Sequence, residues 1–205
     1  IPFGLITQGG KKLSTRSGRV ILLEKVLDDA VALAKEQIEA KNPNLANKDQ
    51  VAEEVGVGAV VFHDLKNERL NNFDFDLEEV VRFEGETGPY VQYSHARAMS
   101  ILRKAGVTEI DPAKAYAVTD ENAWETLRLL GEFPETVARA VAEYEPSVIA
   151  KYAIHLAKAF NKYYAHSKIL VEDDQLEARL ALVASVADVL KEALRLLGVA
   201  APDEM

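Results

Sequence analysis

Apolar and polar positions follow two rhythms along this chain. Up to about residue 23 the apolar residues come in short runs. "IPFGLITQ" (residues 1–8) reads as a strand or extended entry, and "RVILL" (residues 19–23) as a short strand. Between them lies the loop "GGKKLSTRSG". Beyond residue 23 the period becomes helical. Leu27, Val31, Ala34 and Ile38 recur at i, i+4, i+7 and i+11, predicting one amphipathic helix from about Glu24 to Lys41, ended by "KNPN". Asn47 with Gln50 three residues on is a capping-box pattern for the next helix, with Val51, Val55 and Phe62 as its buried stripe. Gly56 and Gly58 weaken that helix unless another backbone packs closely there. "KNERLNNFDFD" reads as a polar connection and "LEEVVRF" as a short helix.

The helical period continues to the end. "GETGPYVQYSHARAMSILRKAG" has a defined start and stop: Thr87 or Gly88 as cap, Pro89 in the first turn, Gly106 at the close. Thr119 or Asp120 is expected to open a helix that Gly131 ends, and Pro134 to open another reaching about Tyr144. Ile149, Tyr152, Leu156, Phe160 and Tyr163 share one face of the following segment. The last helix is expected from about Asp174 to Leu197, closed by Gly198. These elements predict an all-α fold: a helical bundle preceded by a short, incomplete α/β remnant.

Composition adds limits. The chain has 205 residues, 48% of them hydrophobic, which supports a packed core. Net charge is −9, yet residues 1–23 hold four cations and no acid, so the remainder sums to −13. Contact with nucleic acid therefore needs local patches, because the overall field repels phosphate. No cysteine is present, which removes disulfides and thiolate zinc sites and fits a cytoplasmic protein. No run is apolar enough to cross a bilayer, and no signal peptide is visible. The first residue is Ile1, inside a strand-to-loop passage, as expected of a piece of something longer.

Two stretches carry candidate chemistry. The loop "GGKKLSTRSGR" combines Gly9 and Gly10 with Lys11, Lys12, Arg16 and Arg19 and three hydroxyls. Glycines allow close backbone approach and lysines supply charge, as a phosphate cradle needs. The P-loop spacing is missing, and a solvated basic loop has the same composition. In the second stretch Tyr90, Tyr93 and Arg97 stand at i, i+3 and i+7, within about 60° on a helix. Val91, Ala98, Leu102 and Ala105 form the neighbouring core-facing stripe. Two aromatic rings and a guanidinium along a half-buried rim suit the stacking of unpaired bases; they also suit tyrosines packed in a bundle with their hydroxyls at the surface. Lys151, Lys158 and Lys162 line one helix face and could follow a phosphate backbone or simply be its solvated side. Trp124 is expected in the core. The four histidines show no metal-ligand spacing, so no metal site is assigned, and His95 and His155 are expected in hydrogen-bonded structural roles. The carboxylates lie on solvated faces and are given no catalytic work.

"TQGGKKLSTRSGRVILLEKVLDDA" and "FEGETGPYVQYSHARAMSILRKAG" resemble two segments of the arginyl-tRNA synthetases, a class I family. The first is similar to the Lys-Met-Ser-Lys-Ser signature, with Lys12-Leu13-Ser14-Thr15-Arg16 in its place and Thr15 where the second lysine would stand. The second is similar to the first long helix of the DALR-type anticodon-binding domain, and "LLGVAAPDEM" to the family's C-terminus. The resemblance implies ATP-binding by Gly9, Gly10 and Lys12, and catalytic contributions from Lys12, Ser14, Lys11 and Arg16. It implies anticodon contacts from Tyr90, Tyr93, Arg97 and Met205. It further implies a division into residues 1–23 (end of the catalytic domain), 24–80 (connecting helices of the stem-contact type) and 81–205 (anticodon-binding domain). ATP with magnesium, arginine and tRNA(Arg) would be the substrates of the whole enzyme, expected to be a cytoplasmic monomer without membrane contact. The class I His-Ile-Gly-His segment is absent, so the chain alone is expected to be inactive. Two rival readings remain: a helical protein-interaction module, or the anticodon domain of another class I synthetase such as those for cysteine or methionine.

Overall fold

Gly9 and Gly10, at φ 58° and 72°, make the tight reversal between β1 (Ile6–Gln8) and β2 (Lys11–Lys12), a left-handed conformation that favours glycine. The two strands pair antiparallel, Thr7 opposite Lys12. The computed structural model describes residues 1–12, 21–107, 109–111, 114 and 116–205, with Lys11 and Lys12 described by their backbone alone. A third strand, β3 (Phe73–Asp74), pairs parallel to β1, giving the order β2-β1-β3. It falls in the stretch read as a polar connection. The strand expected over residues 19–23 is not found in its described part: Ile21 and Leu22 belong to no element and Leu23 opens the first helix. Phe73 and Asp74 supply the pairing instead.

Seven α-helices follow among the described residues: α1 (Leu23–Lys41), α2 (Lys48–Lys66), α3 (Leu77–Val80), α4 (Gly88–Ala105), α5 (Trp124–Glu143), α6 (Ser147–His166) and α7 (Leu176–Leu196). The helical bundle read from the sequence is the observed architecture. Helices α4 to α7 enclose the larger core, built on Val91, Leu156, Phe160, Leu190 and Leu194. Helices α1 and α2 close a smaller one with Val80, Val81 and Phe83. Gly56 is where α1 and α2 touch: a Cβ there would lie 2.6 Å from the Val31 Cα, so the glycine buys close approach at some cost in helix propensity. The Asn47 capping box is not formed, because the Asn47 side chain makes no cap bond and Gln50 donates to Glu54 one turn on, at 2.9 Å.

The caps of α4 are as the sequence indicated. Thr87 Oγ1 accepts from the Tyr90 N–H at 3.2 Å, and Gly106 closes the helix at φ 68°. Helix α5 differs from expectation. A short 3₁₀ turn (Glu121–Ala123), capped by Asp120, runs into one helix that continues through Gly131 and Pro134. Pro134 forfeits one hydrogen bond. Leu127, Leu130, Phe133, Val137 and Ala140 nevertheless keep one unbroken apolar stripe against the core, and that packing holds the helix together. Trp124, expected inside, is 70% exposed, and Ala123 takes the buried place at the entry to α5.

Candidate nucleic-acid interface

The helical pitch of α4 leaves Tyr90, Tyr93 and Arg97 half-buried, while Val91 and Ala98 beside them are sealed in the core. This is the rim arrangement that their spacing indicated. Facing them is α6, which contributes Asn161 and Tyr164. Consecutive tyrosines on α6 divide the work. Tyr163 points into the core, where burial pushes its phenol up to about 12. Tyr164 points out and is 44% exposed.

Arg97 joins the two helices. Its guanidinium carbon lies 4.9 Å from the ring centre of Tyr93 and 5.0 Å from that of Tyr164. One of its N–H groups donates to Asn161 Oδ1. The Asn161 amide in turn donates to the Tyr90 hydroxyl at 3.0 Å and to Ser94 Oγ at 2.8 Å. Ser94 Oγ donates back to the Tyr90 carbonyl at 2.8 Å. Tyr90 is thus a buttress: its hydroxyl fixes the asparagine that fixes the arginine. Tyr93 stands edge-on to Phe83, with centroids 6.3 Å apart and planes at 89°, and the Lys41 ammonium lies 5.7 Å from its centre. Phenol faces attract these cations through their quadrupole.

A cleft of about 450 Å³ opens beside this group, lined by Tyr93, Arg97, Ser100, Lys104, Tyr164 and Met205 among others. The Met205 main-chain oxygen accepts from Asn42 Nδ2 at 3.2 Å. Of the four residues that the resemblance offers as anticodon contacts, Tyr93, Arg97 and Met205 share one cleft, and Tyr90 supports it from behind. Arg97 and Lys104 give the cleft positive charge in an acidic molecule. The sequence reading missed Tyr164 and Ser94. Tyr164 carries a signal, since it stands three positions after Asn161 and so on a neighbouring face, but only the approach of α4 shows that Arg97 meets it.

The other candidates behave differently. Lys151, Lys158 and Lys162 each reach a carboxylate: Glu68 at 2.7 Å, Glu86 at 2.7 Å and Glu125 at 3.3 Å. The row carries little net charge and faces about 140° away from Tyr164 around α6. Ser14 and Arg16 lie outside the described residues. Gly9, Gly10, Lys11 and Lys12 form the hairpin, whose turn is held from β3. The Asp74 carboxylate accepts from the Gly10 N–H at 3.0 and 3.1 Å and from the Thr7 hydroxyl. His63 Nε2 donates to the Asp74 carbonyl at 3.2 Å, tying the strand to α2. Burial pushes His63 below its ordinary range, so the ring is neutral at pH 7. Among the described residues no group of three His, Asp or Glu is placed to hold a metal, and no helix is long and apolar enough to cross a membrane.

A helical bundle with an aromatic and cationic cleft has known relatives. The model of the DALR anticodon binding domain matches residues 91–205, and the chain belongs to that family. The model of the class I tRNA synthetase (R) catalytic domain matches residues 1–77. The chain is 80% identical over its whole length to the arginine–tRNA ligase of Lactiplantibacillus plantarum, and 70% identical to that of Enterococcus faecalis. It spans 36% of the length of each. The arginyl-tRNA synthetase of Thermus thermophilus superposes with a TM-score of 0.88 at 35% identity, over 99% of this chain and 35% of that one. That of Plasmodium falciparum superposes at 0.79, and at 22% identity it shows the fold alone.

Proposed function

We propose that this chain is the anticodon-reading and phosphate-loop portion of an arginine–tRNA ligase that joins arginine to tRNA(Arg) at the expense of ATP. The observation that carries the reading is the Arg97 guanidinium flanked by the Tyr93 and Tyr164 rings beside an open cleft. Unpaired bases of an RNA loop stack on such surfaces, and each stacked base is worth about 1–3 kcal/mol. The held guanidinium offers its remaining donors to base edges or phosphate. Met205 closes the wall of the same cleft.

The hairpin serves the other end of the reaction. The arginine carboxylate attacks the α-phosphate of ATP, giving arginyl-adenylate and pyrophosphate, and the 2′-hydroxyl of the terminal tRNA adenosine then takes the arginyl group. Negative charge builds on the β- and γ-phosphates as pyrophosphate leaves. Lys12, with Lys11 or Arg16 and the Ser14 hydroxyl, stabilises that charge, while Gly9 and Gly10 let the backbone approach. Magnesium enters with ATP as part of the substrate. In this reading residues 1–23 end the catalytic domain, residues 24–80 connect, residues 81–205 read the anticodon, and the enzyme works in the cytoplasm as a monomer.

ATP–pyrophosphate exchange and tRNA(Arg) charging by the full-length protein, with no exchange by residues 1–205 alone, are the expected results. A full-length protein that charges another tRNA, or exchange by the isolated chain, contradicts the reading.

A further inference from the structure

The last seven residues do not trail into solvent. Gly198, at φ 71°, ends α7, and the Val199 N–H reaches back to the Leu194 carbonyl at 2.9 Å. From there the chain crosses α4 as a strap, fastened at successive points. Gln92 Nε2 donates to the Ala200 carbonyl at 2.9 Å. His95 Nε2 meets the Asp203 carboxylate at 3.1 Å. Arg103 donates to the Asp203 carbonyl at 3.0 Å and pairs with Glu204 at 3.3 Å. Asn42, at the C-terminal cap of α1, holds Met205. Space is reserved for the strap as well: a Cβ on Gly58 would lie 2.9 Å from both Gln92 Nε2 and Val199 Cγ1.

His95 is the hub of this arrangement. It is 1% exposed, and its two ring nitrogens face two acceptors, the Ala187 carbonyl on α7 at 3.1 Å through Nδ1 and Asp203 through Nε2. One side chain thus binds α4, α7 and the strap, whose end, Glu204 and Met205, lines the cleft of Tyr93, Arg97 and Tyr164. We infer that His95 is a positioning residue for RNA recognition: by gripping Asp203 it sets the course of residues 199–205 and so builds one wall of the cleft. The inference rests on the reading of that cleft as the anticodon site.

The two ring nitrogens can be separated by substitution. In the full-length protein, His95→Asn keeps a donor near the Nδ1 position and loses the grip on Asp203, as Asp203→Ala does from the exposed side without opening a cavity. His95→Gln keeps a donor near the Nε2 position. Amide hydrogen exchange of residues 199–205 and the KM values for tRNA(Arg) and ATP are the readouts. His95→Asn and Asp203→Ala are expected to speed exchange of the tail and raise the KM for tRNA(Arg) about tenfold, the value of one hydrogen bond to a charged group. The KM for ATP stays unchanged, and His95→Gln behaves nearly as wild type. Unchanged tail exchange in both Asp203→Ala and His95→Asn overturns the inference whatever the cleft binds. Faster tail exchange with an unchanged KM for tRNA(Arg) overturns it too, and locates the failure in the reading of the cleft. A KM for ATP that rises in step marks a general structural defect and also overturns it.

Discussion

Arg97 and Lys158 are cations on two packed helices of the same bundle, in opposite circumstances. Lys158 faces Glu86 across 2.7 Å, and its neighbours Lys151 and Lys162 have carboxylates of their own. Exposed pairs of this kind are worth about 0–1 kcal/mol and leave almost no field. Arg97 faces a neutral amide and two phenol rings. Its charge is held in place and not cancelled. In a protein of net charge −9 the position of a cation says little about where phosphate can bind. What matters is whether its partner is an anion or a neutral group.

The comparison is easiest to break at Arg97. Arg97→Ala removes the charge, the flanking planar group and the partner of Asn161, and tRNA(Arg) affinity is expected to fall on the order of 100-fold. Arg97→Lys is expected to recover only a small part, because an ammonium is not planar. On the other side, replacing Lys151, Lys158 and Lys162 together by alanine is expected to change the dissociation constant by less than about threefold at physiological salt. A larger loss from the triple variant than from Arg97→Ala would invert the comparison. The smallest effect concerns pH. The Lys158 hydrogen bond and charge hold the Glu86 carboxyl below its ordinary 4.5. A depressed folded-state pKa stabilises above the unfolded value, and that stabilisation is lost as pH falls through the depressed one. Wild type is therefore expected to lose slightly more melting temperature than Lys158→Ala on acidification from about pH 6 through the depressed Glu86 pKa, with the two converging once that carboxyl is protonated.

The same contrast explains what the sequence could reveal. The rim of α4 was legible because Tyr90, Tyr93, Arg97 and the adjoining apolar stripe lie within one helix and obey its period. The Thr87 and Gly106 caps were legible for the same local reason. The neutralisation of the lysine row was not, since the partners stand 83, 72 and 37 positions away in the chain. Tyr164 was hidden likewise: it acquires its place only when α6 meets α4. Gly131 and Pro134 are local punctuation residues, but the apolar stripe from Leu127 to Ala140 runs through them without changing phase, and the packing overrides the local signal. Trp124 misled because size and apolarity do not say which side of a helix entrance is covered. The β3 strand was missed because two residues paired across sixty-seven positions leave no periodic trace.

Tyr164 gives the cleanest access to the central claim, that this cleft grips unstacked bases. Tyr93 packs against the smaller core as well as lining the cleft, so its loss mixes stability with binding. Tyr164 is open to solvent and touches Arg97. The decisive measurement is the dissociation constant of full-length Tyr164→Ala for tRNA(Arg), taken beside its melting temperature. A constant raised about fivefold or more is expected from one lost stacking surface, with a melting temperature within about 2 °C of wild type. Wild-type affinity in a folded Tyr164→Ala protein would contradict it.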